Sequence, residues 1–382
     1  MKITDVKCFV FGNPWKNWIF FKVETGEGLY GVGEATGGLA TKHIIGGIEE
    51  QKRIIIGMDP LQLNAVMDAL KFRLFLPQGG SIISGINIAL WDLLGKAYNL
   101  PLYALLGGKR RPSIRAYANG WYQGPRDPAF FAERAAQVVD MGYTALKFEP
   151  FGSAYKYMDA GDERLAISIV RAVREAVGDG VDICVEAHDR FSVSQAVRIG
   201  CMLEEFRPMW YETPVYSPDI EATVEVARRV PVPVASGERS RSPSDIAALA
   251  QSRAVDILQP ETLGIGGVSA MVAACNIGEA YGASVAPHNA QSPFTTAVNA
   301  HLDVAMENVI IQECFDDFHV SWTGEVLSGY PKVMNGYITP SDRPGIGVEI
   351  NEAAVDKHPY GEDNFLRLFE AGWERRGSRG ES

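Results

Sequence analysis

Apolar residues recur along this chain in two rhythms, and the change from one to the other divides it. Residues 3–11 and 18–24 are β-branched and aromatic runs, and the turn Thr25-Gly26-Glu27-Gly28 leads into a third at 29–33. Helical spacing follows over 42–56, 60–72 and 81–98. Strands first and helices after predict an α+β domain over residues 1–112. From Ser113 the rhythm becomes strict alternation of strand and helix. Strands are predicted at 114–118, 145–148, 183–186, 209–212, 234–237, 257–259, 284–286 and 309–312, with helices between them, as at 130–141, 163–177 and 194–205. Eight strands in alternation with helices predict a closed parallel barrel over residues 113–320. The remainder, 321–382, contains Pro344-Gly345-Ile346-Gly347, lacks the alternation and is expected to pack back on the first domain.

Three glutamates stand at matched places in that rhythm. Glu186 in VEAHDRF, Glu212 in WYETPV and Glu238 in ASGERS are 26 residues apart, from 186 to 212 and from 212 to 238. Each closes a short apolar run, and a helical stretch follows each. A strand, a loop, a helix and a second loop take roughly 25 residues, so the spacing puts one carboxylate at the C-terminal end of each of three successive parallel strands. Taken singly, a glutamate after a strand is usually a solvated loop charge. Three converging carboxylates repel one another unless a cation lies between them, and a hard divalent ion such as Mg²⁺ suits an all-carboxylate set.

Other strand ends carry polar groups too. Lys147 stands in ALKFEPFG, His188 two residues beyond Glu186, Glu261 in ILQPETLG, His288 in SVAPHNAQ and Glu313 in IIQEC. Residues i and i+2 share a face, so His188 looks into the same cavity as Glu186. His288 alone could be a structural histidine. Glu261 on the neighbouring strand changes that reading, because a carboxylate beside an imidazole fixes its tautomer and raises its basicity. Lys147 has a structural alternative, a charge pair with Glu149 or Glu186. His43, His301, His319 and His358 lack such a setting and are read as surface or packing residues. The glycines at 264, 266 and 267 match neither phosphate-loop pattern and serve to turn the chain into the sixth barrel helix.

Composition narrows the classes of partner. With 382 residues, 46% hydrophobic, the chain has enough length for a barrel and a smaller domain. A formal charge of −11 argues against nucleic acid or anionic membranes. It does not argue against a small anionic substrate, since charge at a metal site outweighs the net balance. Cys8, Cys184, Cys201, Cys275 and Cys314 are scattered and read as reduced thiols of a cytoplasmic protein. The N-terminus shows no secretory signal, and no apolar run reaches membrane-span length.

Together these residues resemble the enolase superfamily, mandelate racemase subgroup, and are most similar to its acid-sugar dehydratases of the galactonate type. The likeness covers the N-terminal hairpin FFKVETGEGLYGVGEA, the ALWDLLGK helix, the ladder Glu186, Glu212, Glu238, Glu261, His288, Glu313, and the GIGVEI tail. It implies an α+β capping domain over a modified (β/α)₇β barrel, Mg²⁺ held by Glu186, Glu212 and Glu238, and a homo-oligomer. It implies that a sugar acid, an aldonate or aldarate, loses its α-proton to His288 and its β-hydroxyl with a proton from His188, giving a 2-keto-3-deoxy acid. Glu313, protonated, and Lys147 would hold the substrate carboxylate. The chain departs from the subgroup by carrying Glu186 and Glu261 where aspartate is usual. It also reads Lys147-Phe148-Glu149 where racemases carry Lys-x-Lys, so a lysine–histidine pair of bases is disfavoured. Two alternatives remain: a racemase or epimerase using His188 and His288, and a non-catalytic, metal-stabilised barrel that binds acid sugars. Specificity is assigned to the loops at 13–18 and 37–43.

Overall fold

The computed structural model describes residues 1–74, 80–365 and 367–375, so residue 366 and the end of the 321–382 segment lie outside the described residues. Strands β1 (Ile3–Phe11), β2 (Trp18–Thr25) and β3 (Tyr30–Glu34) form an antiparallel sheet. β2 opens with four apolar residues in a row, Trp18 to Phe21, because both faces of that stretch are covered. Ile19, Phe21 and Val23 join the core with the first helices, while Trp18 and Phe20 join the barrel core. Those helices are α1 (Thr41–Ile55), α2 (Leu63–Leu74) and α3 (Ser81–Tyr98). α2 starts three residues later than its periodicity predicts. The Asp59 carboxylate accepts from the Leu61 amide at 3.1 Å, and this turn captures the chain before the helix can begin. α3 lies so close on β3 that a Cβ on Gly33 would stand 2.0 Å from the Gly85 carbonyl oxygen, which only glycine avoids.

After the short α4 (Leu102–Leu105), the parallel strands follow: β4 (Ile114–Ala118), β5 (Ala145–Phe148), β6 (Asp182–Glu186), β7 (Trp210–Glu212), β8 (Val234–Ser236), β9 (Ile257–Leu258), β10 (Ser284–Val285) and β11 (Gln312–Cys314). They pair in the order β10-β9-β8-β7-β6-β5-β4-β11. A bridge from Val285 to Val309, just before β11, closes the ring. Helices α5 (Pro128–Asp140), α6 (Ala160–Val177), α7 (Val193–Leu203), α8 (Ile220–Arg229), α9 (Pro243–Ser252), α10 (Thr262–Ile265), α11 (Val268–Ala280) and α12 (Pro293–Ala305) cross between strands. The fold is therefore a barrel of eight parallel strands beside an N-terminal α+β unit, as the alternation predicts, in the modified (β/α)₇β form that the resemblance implies. The last strand differs in register. β11 runs to Cys314 because its partner β4 continues to Ala118, so Glu313 lies within the ladder opposite Tyr117 rather than beyond its end.

The later residues return to the first sheet. Ile346 N–H donates to the Asp92 carboxylate at 2.8 Å, and the same carboxylate accepts from Val32 N–H at 2.9 Å and Lys96 at 2.8 Å. One buried aspartate on α3 thus ties helix, sheet and tail together. Asn17 bonds Gly361 in both directions, fastening the 13–18 loop to the same segment.

Candidate active site

A single layer of side chains forms the barrel floor. Tyr117, Ala145, Cys184, Trp210, Ala235, Ile257, Ala286 and Ile311, one from each strand or its extension, pack into one buried cluster. Two residues further along each strand, the side chains return to the same face. That step gives Asn119, Lys147, Glu186, Glu212, Gly237, Gln259, His288 and Glu313. Apart from glycine, the layer is wholly polar. The strand period thus sets a ring of polar groups on an apolar floor at the C-terminal mouth.

The metal candidates meet there. Glu186 and Glu212 are register partners on β6 and β7. Glu238 follows Gly237, whose φ of +133° turns the chain at the end of β8, and a Cβ there would press to 3.0 Å on the Gln259 amide. Among the described residues, Glu186, Glu212 and Glu238 each offer an oxygen, all within 4.8 Å of one another. Three carboxylate oxygens at that separation fit a hard divalent cation. Lys147 is buried among them, with Nζ 3.2 Å from Glu186, 2.5 Å from Glu212 and 2.8 Å from Glu313. Of the two structural pairings open to Lys147, the one with Glu186 is present, whereas Glu149 turns elsewhere. Burial pushes Glu212 up, but Lys147 outweighs it and holds the carboxyl well below its usual range. Glu186 is lifted well above it, by burial first and then by Glu212. Trp210 Nε1 donates to the second Glu212 oxygen at 2.7 Å, and His188 N–H to Glu186 at 2.7 Å, so both carboxylates are aimed.

His288 stands among three acids. Its Nε2 is 3.3 Å from Glu238 and 3.8 Å from Glu313, and its Nδ1 is 3.8 Å from Glu261. The last distance is longer than a hydrogen bond, so Glu261 acts on this ring as a nearby charge. Burial lowers the His288 pKa, but Glu313, Glu238 and Glu261 together raise it to about 9. Glu261 is itself pushed up by burial and brought down by His288, Lys16 and Gln291 to about 2. Glu313 differs from the protonated acid that the resemblance implies. Asn119 Nδ2 at 2.7 Å, Asn289 N–H at 2.8 Å and Lys147 all donate to it. Burial raises this carboxyl, yet Lys147 and His288 prevail and keep it below the usual value, and donors face it on both oxygens.

His188 follows the end of the third strand of the ring and His288 the end of the seventh, and these strands lie opposite one another in the ring. His188 Nδ1 contacts Glu149, which is fully buried and also accepts from Arg190 Nη2. His188 and Asp189 both have left-handed backbone, with φ of +51° and +59°, and Thr213 after Glu212 has +44°. Such conformations are costly for these residue types and are found where neighbouring structure holds them.

Residues contributed from far along the chain complete the site, and sequence periodicity does not reveal them. Lys16 from the 13–18 loop places its charge near Glu261, Glu34, Glu313 and Glu238, and burial lowers its pKa despite them. Trp15 packs on Phe315 at 4.5 Å and on His319 at 5.5 Å. Glu34, fully buried at the end of β3, accepts from Thr36, from Ser292 at the N-cap of α12 and from Thr295. Of the four histidines read as surface or packing residues, His43 is exposed, His301 is buried, His358 stacks on Trp322, and His319 bonds the Gln291 carbonyl beside the site.

Residues 14–107 match the family described as Mandelate racemase / muconate lactonizing enzyme, N-terminal domain, and residues 131–354 match Enolase C-terminal domain-like. A D-gluconate dehydratase of Thermoproteus tenax is 34% identical over 90% of this chain and 70% of its own length. A D-gluconate/D-galactonate dehydratase of Picrophilus torridus is 32% identical over 94% of this chain and 93% of its own. The crystal structure of a member of the enolase superfamily from Salmonella Typhimurium superposes with a TM-score of 0.88, at 30% identity, covering 94% of this chain and 98% of that one.

Proposed function

The chain belongs to the mandelate racemase / muconate lactonizing enzyme family of the enolase superfamily, and from that premise we propose that it dehydrates a sugar acid, an aldonate or aldarate, with the help of Mg²⁺. The observation that carries this reading is the ring itself. Three convergent carboxylates stand between two histidines on facing strands, and each histidine has a carboxylate partner. The dehydratases among the relatives support the substrate class.

Removing a proton α to a carboxylate is difficult because negative charge accumulates on a group already charged. Glu186, Glu212 and Glu238 are the residues that would hold the ion. Bound there, Mg²⁺ would supply positive charge to the substrate carboxylate and take up the Glu238 charge that now helps lift His288. Lys147 sits beside that position as a second cation. His288 would receive the C2 proton through Nε2, with Glu261 stabilising the charged ring. The electron pair left on C2 forms the C2–C3 double bond as the C3–O bond breaks. His188 would give a proton to the departing hydroxyl, which leaves as water. The enol then tautomerises to a 2-keto-3-deoxy acid. Glu313 would act as an acceptor that fixes Lys147 and Asn289 around the substrate carboxylate. Glu149 in place of a racemase's second lysine leaves no lysine base on that strand, which favours elimination over racemisation.

Reduced, scattered cysteines support a cytoplasmic location, and we expect a homo-oligomer from the family. Among the described residues no helix is long and apolar enough to cross a membrane. The metal requirement has a direct test. EDTA should abolish turnover and Mg²⁺ restore it. Glu212→Gln should lower both activity and Mg²⁺ affinity, the latter read by calorimetry. Full turnover by protein stripped of divalent ions would exclude the reading.

A further inference from the structure

We propose that Glu149 is a positioning residue for His188, holding the proton of the ring on Nδ1 and leaving Nε2 as the nitrogen that exchanges a proton with substrate. The inference rests on the reading of His188 as the donor to the leaving hydroxyl. It gives the Glu149–His188 contact a role of its own beside the pair of Glu261 and His288.

The geometry around Glu149 is over-determined. Lys147 and Glu149 are two residues apart, but the chain has left β5 by Glu149, and its carboxylate turns under the β6–α7 loop instead of toward the carboxylate cluster. One oxygen accepts from Arg190 Nη2 and the other faces His188 Nδ1. Arg190 is fully buried; its Nε donates to the Ala187 carbonyl and its Nη1 to the carbonyls of Gly152 and Ala154, while Phe369 lies against its guanidinium at 4.8 Å. Arg190 therefore cannot turn away, and it fixes the Glu149 carboxylate. From the other side, the left-handed backbone at His188, with its N–H on Glu186, sets the direction of the imidazole. An ionised carboxylate is only an acceptor, so the nitrogen facing it carries a proton. Nε2 then remains for chemistry. A simpler role for Glu149 would be to neutralise buried Arg190, and only the contact with His188 distinguishes the two.

Glu149→Gln separates them. Arg190 can only donate, so the amide oxygen turns to it and the amide NH₂ faces Nδ1. The ring proton is then forced onto Nε2, from which it cannot leave without making an anionic ring. The reaction is followed with a sugar acid that the wild-type protein dehydrates, in D₂O with saturating Mg²⁺. Keto-acid formation should fall by roughly 10²–10⁴-fold, the range for a misaligned or lost acid–base group. Exchange of the α-proton by His288 should stay within about threefold of wild type, Glu149→Asp should recover part of the lost turnover, and in a His188→Ala background Glu149→Gln should add almost nothing, as for residues acting as one unit. An equal loss of exchange and elimination, or the same cost with and without His188, would make Glu149 a structural neutraliser of Arg190. If His188→Ala dehydrates at the wild-type rate, the donor role itself falls and this inference with it. If His188→Ala is inactive while Glu149→Gln is fully active, only the role of Glu149 falls. A measurement on the unmodified enzyme covers the case of a variant that does not fold. Nitrogen-15 spectra of its histidine rings, with His188→Ala for assignment, should show His188 protonated at Nδ1, and a ring protonated only at Nε2 would overturn the proposal.

Discussion

His288 shows how a single side chain is set by what converges on it. Alone and buried it would be driven toward neutrality, but Glu313, Glu238 and Glu261 reverse that and raise it to about 9. The same acids would stabilise the protonated ring that proton abstraction produces. His288→Asn keeps a polar side chain of similar reach and removes the base. Both α-proton exchange and turnover should drop by roughly 10²–10⁴-fold, the usual scale for a general base. Exchange at the wild-type rate in that variant, read by deuterium incorporation, would send the search for the base elsewhere. The roles proposed for His288, His188 and Glu149 follow from which carboxylate each ring meets. Sequence spacing indicates only part of that. Glu261 and His288 were linked from adjacent strand ends, whereas the contact of Glu149 with His188 depends on a left-handed turn that no periodicity encodes.

At the scale of elements, the period of two along each strand and the 26-residue spacing of Glu186, Glu212 and Glu238 made most of the ring legible. Both follow from backbone geometry, which any sequence folding this way must respect. What stayed hidden came from across the molecule: Glu34 reaches Ser292, 258 residues away, and Lys16 arrives on a loop held by the tail. The packing of helices against that tail includes one titratable joint. His301 on α12 accepts from Tyr103 N–H through Nδ1 at 3.2 Å and meets the Ile346 carbonyl through Nε2 at 3.1 Å. Burial, only partly offset by the bond to Ile346, lowers its pKa to about 4 from 6.5. The native state then binds fewer protons than the unfolded chain between those values. Stability from this joint is complete above pH 6.5 and is lost as pH falls through 4, by about 3 kcal/mol in all. Urea unfolding at pH 7 and pH 4 should show a smaller acid-induced loss in His301→Gln than in wild type, although the variant starts less stable. Equal losses would mean that His301 does not report on this junction.

For the whole molecule, the proposed activity needs one ring to perform proton abstraction and loss of water on the same sugar acid. The first sheet, the barrel and the returning tail each supply part of the enclosure. Trp15 and Lys16 come from the first, the acids and histidines from the second, and the hydrogen bonds that fasten the 13–18 loop from the third. The likeness to gluconate and galactonate dehydratases points to aldonates as the first compounds to try. The decisive measurement is proton NMR of the enzyme with Mg²⁺ and a panel of aldonates and aldarates in D₂O. At least one acid should be converted to a 2-keto-3-deoxy acid carrying solvent deuterium at C3, the mark of an enol that tautomerises after water has left. An inverted, deuterated C2 centre accumulating with no keto acid would contradict the account and make the protein an epimerase with His188 as its second base.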